Sequence, residues 1–329
     1  MLHKNPPHVQ SARNPSRIQL ILAFAAIYLI WGSTYLGIRY AVETIPPLLM
    51  MGMRHSVAGA LVYAWARHRG APAPELRQWL YAAIAGAFLF LGSHGSLAWA
   101  EQRVPSGLAA LLCATLPLWT VLLARIGGTE RALGGRAWTG LLLGFSGVAL
   151  LIGPDALRQR LDLLPAATVL FGAFLWSVGT IYSKGARMPS SAVLSAAMQM
   201  MAGGFLLFIA GAATGEVSQL HLSSITARSV LSLGYLIVFG SIIAFTAFTW
   251  LVQVSTPSMV STYAYVNPVI AVFIGWALAG EPLGLRTLAA TAVILAGVAL
   301  VTTRRRMPAT ADAHRLPAPL QELQEAATD

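Results

Sequence analysis

Between Ser229 and Gly280 the chain carries no charged residue. That stretch is long enough for two membrane-spanning helices of roughly 20 residues each, and the turn signal Ser255-Thr256-Pro257-Ser258 divides it. Within lipid every backbone N–H and C=O must be satisfied internally, so helices or a closed barrel are the only solutions. The same measure finds ten apolar runs, at about 18–39, 47–66, 78–100, 105–124, 137–153, 163–183, 191–213, 229–252, 258–279 and 286–303. Only 10% of the residues are charged, against about 25% in a soluble domain. The expected class is an all-α integral membrane protein with ten transmembrane helices.

The runs repeat. Trp99, Gln102, Pro117 and Glu130 return in the same order as Trp250, Gln253, Pro268 and Glu281, each 151 positions later. Trp31 is matched by Trp176, and Gly147-Val148-Ala149-Leu150 by Gly297-Val298-Ala299-Leu300. Loop arginine and lysine set the orientation, because cytoplasmic loops collect them. An inside N-terminus puts Lys4, Arg67, Arg131, Lys184 and Arg304-Arg305-Arg306 in the cytoplasm, leaving Arg39, Arg103, Arg158, Arg160, Arg228 and Arg286 outside. Both termini are then cytoplasmic. Five spans per half invert the second half on the first, the layout from which many transporters are built. The expected organisation is a cytoplasmic tail over 1–17, five spans over 18–153 and a linker over 154–162. Five more spans over 163–303 and a disordered cytoplasmic tail over 304–329 complete it.

Trp31-Gly32-Ser33-Thr34-Tyr35 opens the first half, Trp99-Ala100-Glu101-Gln102-Arg103-Val104-Pro105-Ser106-Gly107 follows, and Asn267-Pro268 precedes Gly280-Glu281-Pro282. In these segments the chain resembles the drug/metabolite transporter superfamily, specifically its EamA-type permeases, and the Trp99–Gln102 segment is most similar to the YedA-like branch. The resemblance covers about residues 20–303. It implies two inverted EamA repeats of five helices, and export or exchange of small metabolites, amino-acid-like or drug-like solutes, across a plasma membrane, here a bacterial inner membrane.

Polar groups inside a membrane are costly, which makes each a functional candidate. Arg54 lies in the second span, where it either pairs with Glu101 or faces a cavity and attracts a substrate carboxylate. His55 and His94 are the histidines within spans, His55 reading as structural and His94 as either cavity-lining or packed. With no Asp or Glu mid-span, proton coupling would fall to His94 or Glu101, and uncoupled efflux is the alternative. The aromatics Trp31, Tyr35, Trp119, Trp176, Tyr263 and Tyr265 either line a central cavity or pack between helices. Pro117 and Pro268 each remove a backbone donor. Matched breaks in inverted halves mark a site or gate, with Asn267 as polar lining, unless they are plain kinks. Gly140 and Gly144 form a small-xxx-small packing pair.

Absent motifs narrow the classes. There is no phosphate-binding loop, no metalloprotease helix motif and no cysteine pair, Cys113 being the sole cysteine. No cofactor, metal or catalytic residue is expected, so the chain is not read as an enzyme. The net charge of +10 fits basic loops better than nucleic acid, since no soluble basic patch interleaves aromatics. The expected partners are a small-molecule substrate and the lipid bilayer, with a homodimer left open. A secondary transporter is the leading reading. A non-transporting sensor or assembly subunit and a membrane-embedded lipid-modifying enzyme are the competitors.

Overall fold

The computed structural model describes residues 16–126, 135–152, 163–255 and 263–302, and every regular element among them is helical. Glu130, the linker 154–162 and the tail after Arg304 lie outside the described residues. Apart from two short helical turns at Glu216–Gln219 and Leu222–Ser224, the helices in chain order are α1 (Arg17–Ala41), α2 (Pro47–His68) and α3, built from Leu76–Gly86, Ala87–His94 and Gly95–Glu101. Then come α4 (Ser106–Cys113), α5 (Leu116–Ile126), α6 (Gly135–Ile152), α7 (Leu163–Gly185) and α8 (Ala192–Ala213). The set closes with α9, built from Ala227–Tyr235, Leu236–Ile243 and Ala244–Val254, then α10 (Tyr263–Ala279) and α11 (Leu285–Thr302).

Five of these are long and apolar enough to cross a membrane: α1, α3, α7, α8 and α9. Shorter apolar helices lie within α4–α5, α6, α10 and α11. Local signals set the starts. Ser16 accepts from Gln19 N while Gln19 Oε1 accepts from Ser16 N, a capping box at the head of α1. Ser191 caps α8 in the simpler way, through Leu194 N.

The helices pair as a two-fold repeat would require. α2 packs on α8 and α6 on α11, each joining equivalent helices of the two sequence halves. α1 packs on α9 and α10, and α7 packs in the corresponding way on α3 and on α4 with α5. Lipid offers no hydrophobic drive between helices, so close contact depends on small residues. A Cβ on Gly59 would lie 2.7 Å from Met201 N, and one on Gly204 2.6 Å from Ser56 N. The Gly140–Gly144 pair is met by Gly297, whose added Cβ would stand 2.5 Å from Gly144 N.

Two features depart from ten plain spans. In α3 and α9 the central pieces, Ala87–His94 and Leu236–Ile243, are π-helical. Gly95 N bonds to Phe90 O and Ala244 N to Phe239 O, each five residues back. Such wider turns concentrate at functional sites. The matched prolines, by contrast, do not make matched breaks. The fourth apolar run stops at Cys113 and restarts at Leu116, so Pro117 is the second residue of α5, where its missing N–H costs little. Pro268 stays inside the continuous α10. Beside it the Asn267 amide nitrogen, turned toward the two carbonyls it faces, donates to Tyr28 O at 3.2 Å and Tyr263 O at 3.3 Å.

Candidate functional site

The π-helical pieces of α3 and α9 face a common space. A cavity of about 890 Å³ between atoms, mouth included, lies where α1, α2, α3, α4, α5, α7, α8, α9 and α10 converge. The two repeat-matched tryptophans both line it, and each holds the π-helical piece of the opposite half. Trp31 Nε1 donates to Gly240 O at 3.1 Å, taking up a carbonyl within the π-helical piece of α9. Trp176 stacks on His94 of α3 with ring centroids 5.0 Å apart. His94 Nδ1 in turn bonds His55 Nε2 at 2.9 Å, and His55 rests on Phe90 at 4.4 Å. Trp31 is fixed by Phe248 and Tyr263, at 5.1 and 5.3 Å.

Arg54 is the cation of this space, only 3% exposed. Its Nε donates to Ser241 Oγ at 3.0 Å, in the π-helical piece of α9. No carboxylate stands within ion-pair distance of it among the described residues. Glu101 is buried too, but it is outside the cavity lining, and neither carboxyl oxygen has a hydrogen-bond partner among the described residues.

Of the residues singled out in the sequence, Trp31, Tyr35, Arg54, His94, Trp176, Tyr263, Asn267 and Pro268 line the cavity. Trp119 does not. Its ring packs against Phe145 and Phe174 at 5.1 and 5.6 Å, away from the opening. Pro117 is also off the lining, where its neighbour Leu116 takes the place. The Tyr265 side chain lies outside the described residues. The sequence reading missed Ser241, Phe90, Phe245 and Cys113 as lining, and it treated His55 as structural. The available signal was a small polar Gly-Ser pair in each of these helices, Gly92-Ser93 in α3 and Gly240-Ser241 in α9.

Residues 18–153 and 163–303 each match the EamA-like transporter family. The chain belongs to that family. Among relatives of the EamA chain is the uncharacterized inner membrane transporter YedA of Escherichia coli (strain K12), 38% identical over 288 residues, which are 87% of this chain and 91% of the relative. The uncharacterized transporter YvbV of Bacillus subtilis (strain 168) is 26% identical over 88% of this chain and 93% of its own. A solved crystal structure shares the fold with a TM-score of 0.61 at 21% identity, covering 87% of this chain and 98% of that one. The chain is thus a multi-pass membrane protein of a transporter family.

At one end of this EamA bundle, the loop after α10 is tied to the other half. Glu281 accepts from Ser106 N at 2.8 Å, Ser106 Oγ at 2.7 Å and Gly107 N at 2.9 Å, and it pairs with Arg39. It caps α4, a helix start with no side-chain cap of its own. Burial alone would push the Glu281 carboxyl up, but the Gly107 and Ser106 donors and Arg39 together hold it below its ordinary value of 4.5. A lowered carboxyl stabilises the fold above that ordinary value and loses its contribution as pH falls through the lowered one. Glu281→Gln is expected to cost about 1–3 kcal/mol, since two backbone donors and a cation lose a charged acceptor. In detergent the variant should melt earlier than the parent at neutral pH, and the gap should close under strong acid. A constant gap across pH would show that the carboxylate charge is not the stabilising element.

Proposed function

We propose that the protein is a secondary transporter that exports small metabolites, amino-acid-like or drug-like solutes, across a bacterial inner membrane by alternating access. In this reading ten spans form two inverted five-helix halves with both termini in the cytoplasm, and rocking of the halves exposes a shared site to either side. The observation that carries it is the cavity itself, built at the meeting of two-fold-related helices and lined by Trp31 and Trp176 from matched positions. Trp31, Tyr35, Arg54, His94, Trp176, Tyr263 and Asn267 bind the solute, Pro268 shapes the adjoining helix, and Tyr265 joins the set by its place in α10. Glu101 and His94 are the candidates for proton coupling. Glu101 is the carboxyl candidate because its buried oxygens have no hydrogen-bond partner among the described residues. Trp119, set in its own aromatic cluster, and Pro117, at the head of α5, act on the site through helix position.

The test is uptake of a mixed metabolite pool by inside-out proteoliposomes, with and without an imposed pH gradient, read by mass spectrometry. Selective accumulation is expected, reduced at least about tenfold in Trp176→Ala, since a truncated aromatic forfeits about 3–5 kcal/mol of contact in a packed site. Glu101→Gln should abolish the response to the gradient while leaving exchange in place; a retained response would transfer coupling to His94. No uptake of any solute by the folded protein would reject transport.

A further inference from the structure

We propose that the cavity selects a monoanionic organic solute, with a carboxylate or like oxyanion on the Arg54 guanidinium and an apolar body against the surrounding rings. This rests on the transporter reading and names its substrate class.

The argument starts from an imbalance of charge. A guanidinium offers five N–H donors. Arg54 spends one on Ser241 Oγ at 3.0 Å and makes a weak contact with Met51 Sδ at 3.9 Å. Its head makes no other hydrogen bond or ion pair among the described residues, and the residue is 3% exposed. A buried cation without a counter-charge is strongly unfavourable unless something else supplies the charge. Among the described residues the cavity lining contains no Asp or Glu. Glu101 stands outside it, beyond ion-pair distance of Arg54. Glu101 acts on Arg54 only through space, without contact, so the free donors of the guanidinium are left for an anion that the cavity holds.

The neighbours of Arg54 sharpen the choice. His55 and His94 share one hydrogen bond, so whichever ring donates, the neutral pair leaves one N–H and one acceptor nitrogen and adds no negative charge. Ser241, held by the guanidinium, can donate its own hydroxyl proton onward. The lining also presents the apolar and aromatic side chains of Trp31, Phe245, Tyr263 and Trp176. A planar oxyanion fits a guanidinium by two parallel hydrogen bonds, which a neutral amide cannot reproduce. An amine or the ammonium of a zwitterion would meet hydroxyls, the Asn267 amide and ring faces, with a buried cation beside it and no carboxylate on the lining among the described residues. The site is built for an anion with a hydrophobic body.

The experiment uses full-length protein in detergent and follows its melting temperature at neutral pH. The probes are 3-phenylpropionate and isovalerate, the amide and the amine of each, and phenylalanine. The carboxylates are expected to stabilise the protein with apparent affinities at least tenfold above their amides and amines. Arg54→Gln should remove that preference by at least tenfold, while Arg54→Lys keeps part of it, and Ser241→Ala should weaken it severalfold. The Lys and Ala variants decide the matter if the Gln variant fails to fold. Equal stabilisation by an amide or amine, carboxylate binding that survives loss of Arg54, or no binding by either carboxylate would overturn the proposal. The proteoliposome flux measurement keeps the two readings apart. Uptake confined to cations or neutral solutes would overturn the anion class and leave transport standing, while binding without any flux would remove the transporter reading instead.

Discussion

Valine in place of Gly297 is expected to abolish folded protein. A Cβ there would stand 2.5 Å from Gly144 N, 2.7 Å from Gly144 Cα and 2.8 Å from Gly140 O. All three are backbone atoms, so no side chain can rotate out of the way, and α6 must part from α11. Their shared core, which includes Leu141, Val148, Ile294 and Val298, would open with them. Ordinary overpacking costs about 1–3 kcal/mol; a clash with fixed backbone on both sides of a crossing should exceed about 3 kcal/mol. Gel filtration of the solubilised protein should lose its monodisperse peak. Gly234→Val is the control, since a Cβ on Gly234 meets nothing within 4 Å. A Gly297 variant with parental yield and melting temperature would mean that α6 and α11 do not approach so closely.

Gly240→Val should spare the fold and stop the function. Its Cβ would lie 2.9 Å from Arg54 Nη2 and 3.0 Å from Thr34 Cγ2, both at the ends of side chains. The guanidinium can yield, and the open direction is the cavity. Displaced there, it leaves Ser241 and occupies the place a solute would take. Losing one charged hydrogen bond corresponds to about 1.5–3 kcal/mol, so transport and carboxylate binding should fall about ten- to hundredfold. Melting temperature without ligand should fall by no more than the loss of the Arg54–Ser241 bond, far less than in the Gly297 variant. Undiminished flux in this variant would place the solute away from Arg54.

Much of this molecule can be read before any coordinates. The apolar runs stand as helices because lipid leaves few other ways to satisfy a backbone. Trp31, Trp176 and Arg54 announce themselves because a bulky or charged group deep in an apolar run is costly and needs a reason. What the residues do not disclose is register. The π-helical pieces of α3 and α9 depend on bonds five residues back, and no residue type encodes that choice. Arg54 was expected to find either Glu101 or a cavity. It lies on the cavity and there reaches Ser241 from the other half, a contact that only the packing of α2 on α9 creates. Trp119 and Trp176 look alike as aromatics in apolar runs, yet one joins Phe145 and Phe174 and the other His94, according to which face of its helix turns inward.

Cys113 ends α4 on the cavity wall and is the only cysteine among 329 residues. The native protein is therefore already a single-label reporter, with no background thiols to engineer away. A membrane-impermeant thiol reagent applied from one side reads which mouth is open, and protection by a solute reads occupancy, in the unmodified sequence.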